Sequence, residues 1–188
     1  LRQGSIRERE FGDVAGAIGA YRDVVEADPA NVDAVAALEG LLGKDEFVED
    51  LVEVLTPVYQ ALGEQHKISK LFEVQLRVAD DPHDRVRLYR ELAMHQETVL
   101  GDPSIAFDSY ASAFALAPTE AELLDELERL AGELGSWVAL VENVEKVLEA
   151  GGLEPADEVE LGLKVARWVS SQVGDPRMAE ARYRAVLE

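Results

Sequence analysis

The residue types that most often carry out chemistry are sparse in this chain. Its three histidines are His66, His83 and His95, and none has a second ligand at the His-x3-His or His-Glu-x2-His spacing of a metal site. The absence of cysteine excludes disulfides, thiolate metal ligands and a cysteine nucleophile. There is also no Gly-x-Ser-x-Gly elbow and no phosphate-binding loop. We therefore expect no enzyme, no cofactor and no bound metal.

Carboxylates are the abundant polar groups. The chain has 38 aspartates and glutamates against 18 lysines and arginines, a net charge of 18 − 38 = −20. Such a charge repels nucleic-acid phosphates and anionic membrane surfaces, so we expect neither as a partner. Residues 120–160 hold thirteen acids against Arg129 and Lys146, a local net charge of 2 − 13 = −11. The ordinary interpretation is a solvated exterior, and the alternative is a surface that steers a basic partner.

Three arginines follow one another at short spacing in a more basic stretch of the chain. Arg85, Arg87 and Arg90 could form an anion site, because guanidinium groups bind phosphates and carboxylates through paired hydrogen bonds. The same spacing is also typical of a solvated helix face, which is the interpretation that we favour.

The elements that must carry these residues repeat along the chain. A pattern of Gly-Asp, Ala, Tyr and Pro recurs after 89 residues, and its first part recurs after a further 73. The matching residues are Gly12, Asp13, Ala17, Tyr21 and Pro29, then Gly101, Asp102, Ala106, Tyr110 and Pro118, then Gly174, Asp175, Ala179 and Tyr183. Self-similarity at long period indicates a stacked repeat protein. Because the first period is longer by 89 − 73 = 16 residues, we expect one additional helix within 47–80.

Apolar residues recur at steps of three and four, which predicts helices almost everywhere. We expect ten of them, near 13–27, 31–43, 47–61, 65–79, 83–99, 103–116, 119–133, 136–149, 156–172 and 176–187. The Gly-Asp turns, Asn31 and Thr119 supply start signals. Pro57 should kink or break its helix, because an interior proline removes a backbone donor. No alternation of period two is long enough to predict a strand.

The repeated residues resemble the second helix of a tetratricopeptide repeat, in which a small residue, an aromatic, a small residue and a proline recur. The matching positions are Ala17, Tyr21, Val24 and Pro29, then Ala106, Tyr110, Ala113 and Pro118, then Ala179, Tyr183 and Val186. The family period is 34 residues, and Gly101 to Gly135 spans 34. Where the family's first helix has glycine, this chain has Met94, Glu128 and Arg167. Half-a-tetratricopeptide and Sel1-like helical repeats therefore stay open as alternatives.

The resemblance implies an all-α fold, a right-handed α-α superhelix of about ten antiparallel-paired helices. We expect one array over 1–188, with repeat units near 12–46, 47–81 (irregular, with the additional helix), 82–118, 119–154 and 155–188. The chain begins at Leu1 and stops at Glu188 inside an expected helix, so we expect a fragment of a longer protein.

The resemblance also implies a concave groove, lined by the first helices of the repeats, that binds peptides or helices of a partner. The positions carried over are Glu91, His95, Glu122, Asp125, Arg129, Lys164 and Trp168. A groove of the type that clamps a C-terminal carboxylate needs Lys, Arg and Asn there, whereas the central unit here is acidic. A basic or amphipathic partner segment fits better.

Two aromatic sets have a structural as well as a functional interpretation. Trp168 could anchor a partner, since tryptophan is enriched at binding hot spots, but its apolar neighbours favour a place in the core. The three repeated tyrosines are interpreted as architecture because they recur with the repeat. Trp137 is expected to pack between helices.

The predicted function is a protein–protein interaction scaffold. One alternative is a self-assembly module or structural spacer, because the helix 176–187 would expose Ala181, Ala185 and Leu187 and uncovered repeat ends tend to stack into homo-oligomers. Another is a regulatory docking segment of a larger protein. No apolar run approaches the roughly 20 residues that span a bilayer, so we expect no membrane insertion and a cytoplasmic location.

Overall fold

The three Gly-Asp turns have the same local structure and set the starts of three helices. Their glycines have φ angles between 64° and 77°, a left-handed conformation that glycine adopts without steric strain. The aspartate that follows then caps the next helix. Asp102 Oδ1 accepts hydrogen bonds from the backbone N–H groups of Ser104 and Ile105, at 3.1 and 3.2 Å. Asp13 and Asp175 accept equivalent bonds from the backbone of their own helices.

A computed structural model describes residues 2, 4, 6, 7 and 12–187, with the side chains of the last helix described as far as residue 184. Over this part the chain has ten α-helices and no strand, so the predicted all-α fold class is confirmed. The helices are α1 Val14–Ala27, α2 Val32–Leu41, α3 Val48–Leu62, α4 Gln65–Val78, α5 Pro82–Thr98, α6 Pro103–Leu116, α7 Ala121–Leu134, α8 Trp137–Ala150, α9 Pro155–Trp168 and α10 Pro176–Leu187. Within each unit, short turns join successive helices, which places neighbours antiparallel.

The helix starts follow the sequence signals with one exception. Asn31 Oδ1 accepts a hydrogen bond from the Ala34 N–H at 3.1 Å and caps α2 as predicted. Thr119 does not cap α7, because Glu120 occupies the cap position, without a side-chain bond. A short 3-10 helix, Asp45–Phe47, precedes α3, and a π-helical turn, Val169–Val173, follows α9. The predicted additional helix is present, since α3 and α4 together fill 48–78.

Pro57 was predicted to kink or break its helix, and the break does not occur, because Pro57 lies inside a continuous α3. The helix runs from Val48 to Leu62, with the proline in its second half and exposed. Its missing N–H leaves the Glu53 carbonyl, four residues earlier, without its usual helical donor. Buried residues on either side, such as Leu55 and Val58, hold α3 in place.

The chain divides into two compact units, Leu1–Asp84 and Arg85–Glu188. The core of unit 1 contains buried residues of α1 to α4, with Leu38, Leu51 and Leu55 fully buried. The core of unit 2 contains buried residues from α5 to α10, with Phe114 and Leu127 fully buried. Burial of such side chains stabilises each unit by roughly 1.5–3 kcal/mol per residue.

The repeated small and aromatic residues are mostly core residues. Ala17, Ala106 and Ala179 are at most 3% exposed, and Tyr21 and Tyr110 are 3% and 6% exposed. Tyr183 departs from this pattern at 41% exposure, so its predicted packing role is not realised within the described structure. Among the residues proposed to be exposed on the last helix, Ala181 is exposed, while the side chains of Ala185 and Leu187 lie outside the described ones, as does that of the repeat position Val186.

Candidate partner-binding surface

The residues that the resemblance assigned to a groove lie on three helices of unit 2. Glu91 and His95 are on α5, Glu122, Asp125 and Arg129 on α7, and Lys164 and Trp168 on α9. Two of the seven side chains, His95 and Lys164, are half-buried, and Trp168 is buried. The exposed ones are Glu91, Glu122, Asp125 and Arg129. We use the term α5–α7–α9 face for the surface formed by Glu91, His95, Glu122, Asp125, Arg129 and Lys164.

Trp168 belongs to the core and not to this face. Its side chain is 5% exposed and is part of the apolar cluster of unit 2, together with Leu161 and Val165. A tryptophan buried to this degree has no free surface to offer a partner, so its groove assignment is corrected and its core interpretation is confirmed.

Arg129 connects α7 to α5 through a dense set of charge-assisted hydrogen bonds. One terminal nitrogen donates to Glu97 of α5 at 2.8 Å and to Glu126 at 2.6 Å. The other terminal nitrogen donates to Glu133 at 3.0 Å, and Nε donates to Glu126 at 2.8 Å. The bond to Glu97 is the largest cause of a raised pKa for Arg129. One guanidinium thus faces three carboxylates, and Arg129 is not available to an acidic ligand.

Arg90 makes a second connection between the same two helices. Its guanidinium donates to Glu120 at 3.1 Å and to Glu122 at 3.4 Å, at the beginning of α7. The Glu122 side chain is 80% exposed, so most of its surface stays open to solvent. Arg87 pairs with Glu91 one turn along α5 at 3.2 Å. For Arg87 and Arg90 these pairs favour the solvated-face interpretation over an anion site, whereas Arg85 is half-buried and its Nε has no hydrogen-bond partner among the described residues.

Lys164 connects α9 to α7. Its Nζ lies 3.5 Å from Glu128 Oε1, and both side chains are about two-thirds or more buried, at 26% and 34% exposure. Asp125 is exposed and makes no hydrogen bond or ion pair with any residue that the structure describes. The bases on the face are therefore engaged with carboxylates of the protein, and the acid surplus faces solvent.

Unit 1 contains a related contact between alternate helices. Tyr59 of α3 donates to Glu39 of α2 at 2.9 Å, and Lys67 of α4 donates to the same oxygen at 3.0 Å. The Lys67 ammonium also lies 5.3 Å from the centre of the Tyr59 ring, within cation–π range. Glu39 and Glu128 are equivalent in the 89-residue repeat. In both units this glutamate therefore pairs with a lysine two helices further along.

Sequence reasoning missed most of the residues that hold the face together. Glu126 and Glu133 lie three residues before and four after Arg129, a spacing that alone predicts helical ion pairs. Glu97 and Arg90 had no comparable signal, because their partners are about 30 residues away and depend on how α5 and α7 pack.

Burial should delay the ionisation of two tyrosines on titration. Burial, followed by the Glu126 and Glu97 carboxylates, raises the pKa of Tyr110, and burial and the bond to Glu39 raise the pKa of Tyr59. A raised pKa stabilises the fold below the unfolded value of about 10, and that contribution is lost as the pH rises beyond it. We expect the free energy of unfolding to fall above about pH 10.

Alkaline titration at 295 nm checks this expectation. Tyr59 and Tyr110 should ionise later in the folded chain than in urea, and Tyr110→Phe should remove one late-ionising group from the folded curve. If all five titrated with a common midpoint, unchanged by unfolding, the two side chains would not be buried as described.

The described residues contain no group of three or more His, Asp or Glu side chains arranged to hold a metal ion. A search of the same residues also finds no helix that is both long and apolar enough to cross a membrane.

No protein-family model and no curated protein matches the chain. The chain is similar to two solved structures, each at 19% identity and a TM-score of 0.37. One is described as the crystal structure of MamA, and the match covers 96% of this chain and 91% of that one. The other is described as the crystal structure of MamA protein, with 98% and 86% covered.

Proposed function

We propose that this chain is a protein-interaction scaffold whose α5–α7–α9 face binds a basic or amphipathic segment of a partner protein. The observation that carries the proposal is the state of the charges on the face. Arg90, Arg129 and Lys164 are each bonded to carboxylates of the protein, while Glu122 and Asp125 extend into solvent. The lysines or arginines of a basic partner would face the exposed carboxylates of Glu122 and Asp125. The carboxylates of an acidic partner would face Arg90, Arg129 and Lys164, which are already bonded to carboxylates of the protein.

We also infer a divergent tetratricopeptide-like array, in a cytoplasmic protein, as the framework of this surface. Three observations support the array: the 34-residue spacing from Gly101 to Gly135, the repeated Gly-Asp turns, and the buried alanine and tyrosine of each second helix in the first two copies. The change between compact units after Asp84 lies close to the repeat boundary expected at 81–82.

The proposal is tested by fluorescence anisotropy on the full chain. The probe is a labelled helical peptide with lysines along one face and leucines along the other, compared with a glutamate version of the same length. The wild type should bind only the basic peptide. Glu122→Lys/Asp125→Lys should weaken that binding about tenfold, which corresponds to the loss of roughly 1.4 kcal/mol.

A matched variant separates this face from the general charge of the protein. Glu142→Lys/Glu149→Lys changes the net charge by the same amount on α8, at two exposed positions outside the face. It should bind nearly as well as the wild type. Equal losses in both variants, or binding of the acidic peptide, would refute the face as the site.

A second candidate is self-assembly, and the exposure of Tyr183 favours it. The equivalent Tyr21 and Tyr110 are covered, so Tyr183 presents an aromatic surface that the fold elsewhere buries. Light scattering after size-exclusion chromatography at high concentration measures the mass in solution. A monomer at every concentration would count against this candidate and leave the peptide assay unaffected.

A further inference from the structure

An open cleft of about 240 Å³ lies between α1 and α3 of unit 1. Val25, Val54 and Val58 form part of its wall, so its interior is largely apolar. Glu26 and Glu53 also line it, and both are exposed to solvent. The cleft thus combines an aliphatic wall with two carboxylates.

The same cleft recurs in unit 2 at the equivalent repeat positions. It has a volume of about 340 Å³ and lies between α6 and α8. Pro118 and Val147 line it where Pro29 and Val58 line the first cleft, each 89 residues earlier. A cavity that returns with the repeat is a consequence of the fold, so its chemistry is set by the side chains that differ.

Those differences concern charge. Glu26 of the first cleft corresponds to Ala115, Arg22 corresponds to Ala111, and Pro57 corresponds to Lys146. The second cleft therefore lacks the Glu26 carboxylate and the Arg22 guanidinium and has an ammonium instead. The first cleft does contain a base, Arg22, whose guanidinium lies 3.6 Å from Glu53. The Glu53 side chain is 72% exposed, and solvent-exposed pairs of this kind are weak. Glu26 has no hydrogen bond or ion pair with any residue that the structure describes.

The carboxylates and the valines are combined in one small space, because Glu26 and Glu53 line the cleft together with Val25, Val54 and Val58. Such a combination suits a ligand with an aliphatic stem and a cationic end.

We propose that the first cleft binds a lysine or arginine side chain of a partner protein. The methylene stem packs against Val25, Val54 and Val58, and the cationic group binds Glu26 and Glu53. The second cleft, with Lys146 and without the Glu26 carboxylate, does not bind such a side chain. This site is separate from the α5–α7–α9 face and does not depend on the function proposed for it.

The test is a nuclear magnetic resonance titration of the full, nitrogen-15-labelled chain. The probe is N-acetyl-lysine-methylamide, and the comparison ligand is N-acetyl-norleucine-methylamide, which has the stem without the ammonium. The lysine derivative should shift the amide signals of Val25, Glu26, Val54 and Val58 saturably. The equivalent amides of the second cleft, Asn143 and Val147 among them, should not move. The norleucine derivative should bind at least fivefold more weakly.

Variants test the two carboxylates directly. Glu26→Gln/Glu53→Gln should weaken binding about fivefold, as expected for two exposed ion pairs of roughly 0.5 kcal/mol each. Glu142→Gln/Glu149→Gln, with the same change of charge, should leave it unchanged. The proposal is overturned if the norleucine derivative binds as well as lysine, if both clefts respond alike, or if neither responds. The comparison of ligands on the wild type stays decisive even where a variant folds poorly.

Discussion

Replacing Phe114 with alanine should lower the free energy of unfolding of unit 2 by about 3–5 kcal/mol, as large-to-small changes at buried aromatic positions do. Phe114 is 0% exposed and is the largest fully buried side chain among the described residues. It belongs to the same apolar cluster as Leu123 and Leu127 of α7. The substitution removes apolar contacts and leaves a cavity that a closely packed helical core only partly fills. Because α7 carries Glu122 and Asp125, binding of the basic peptide should weaken as well.

Leu116 supplies the matched control for this experiment. It lies two residues further along α6 with 41% of its side chain exposed, so Leu116→Ala should cost less than about 1 kcal/mol. Urea unfolding followed by circular dichroism gives the free energies, and hydrogen exchange of the α6–α8 amides assigns the loss to unit 2. A Phe114→Ala protein within 1 kcal/mol of the wild type would contradict the packing described for this core.

Replacing Pro57 with alanine should have the opposite sign and stabilise the protein by about 2 kcal/mol. An interior proline is roughly 3 kcal/mol less favourable than alanine in a helix. Part of that gain is offset, because proline also restricts the unfolded chain, an effect of about 0.4–1 kcal/mol. Pro57 is exposed, so little packing is lost with its ring. Alanine restores an N–H that the Glu53 carbonyl can accept.

Pro103 distinguishes this effect from a general response to the loss of a proline. It occupies the first turn of α6, where the backbone N–H has no helical acceptor to lose. Pro103→Ala should therefore give no gain and a small loss. Thermal unfolding of the two variants beside the wild type measures both. A Pro57→Ala protein no more stable than the wild type would show that α3 has adapted fully to its proline.

Most of the fold could be predicted because its signals are local. A glycine and an aspartate in sequence specify a left-handed turn and a helix cap, and the three copies of this pair start α1, α6 and α10. Apolar spacing located the remaining helices, and the difference between the two repeat periods located the additional one. Trp168 was correctly favoured as a core residue because its neighbours in the stripe are apolar.

The parts that could not be predicted depend on contacts between distant residues. Glu97 and Arg129 are 32 positions apart, and only the packing of α5 against α7 brings them to 2.8 Å. Tyr183 matches the repeat in sequence, yet it is exposed where the equivalent Tyr21 and Tyr110 are buried, so residue type alone does not predict burial. Pro57 was predicted to kink or break its helix, and the break does not occur, because a local rule takes no account of the buried side chains that hold α3.

The repeated Gly-Asp turn has a consequence for how such a chain can change its length. The turns at Gly12, Gly101 and Gly174 share one backbone conformation and one capping pattern. Because the three turns are equivalent, a helix that follows one of them can also follow either of the others. A gene rearrangement that recombined the turns at Gly101 and Gly174 would delete or duplicate the four helices α6 to α9, and one that recombined the turns at Gly12 and Gly101 would delete or duplicate the five helices α1 to α5. The chain can thus change its length by blocks of whole helices without a new kind of turn, with new surface chemistry arising by substitution in an added copy.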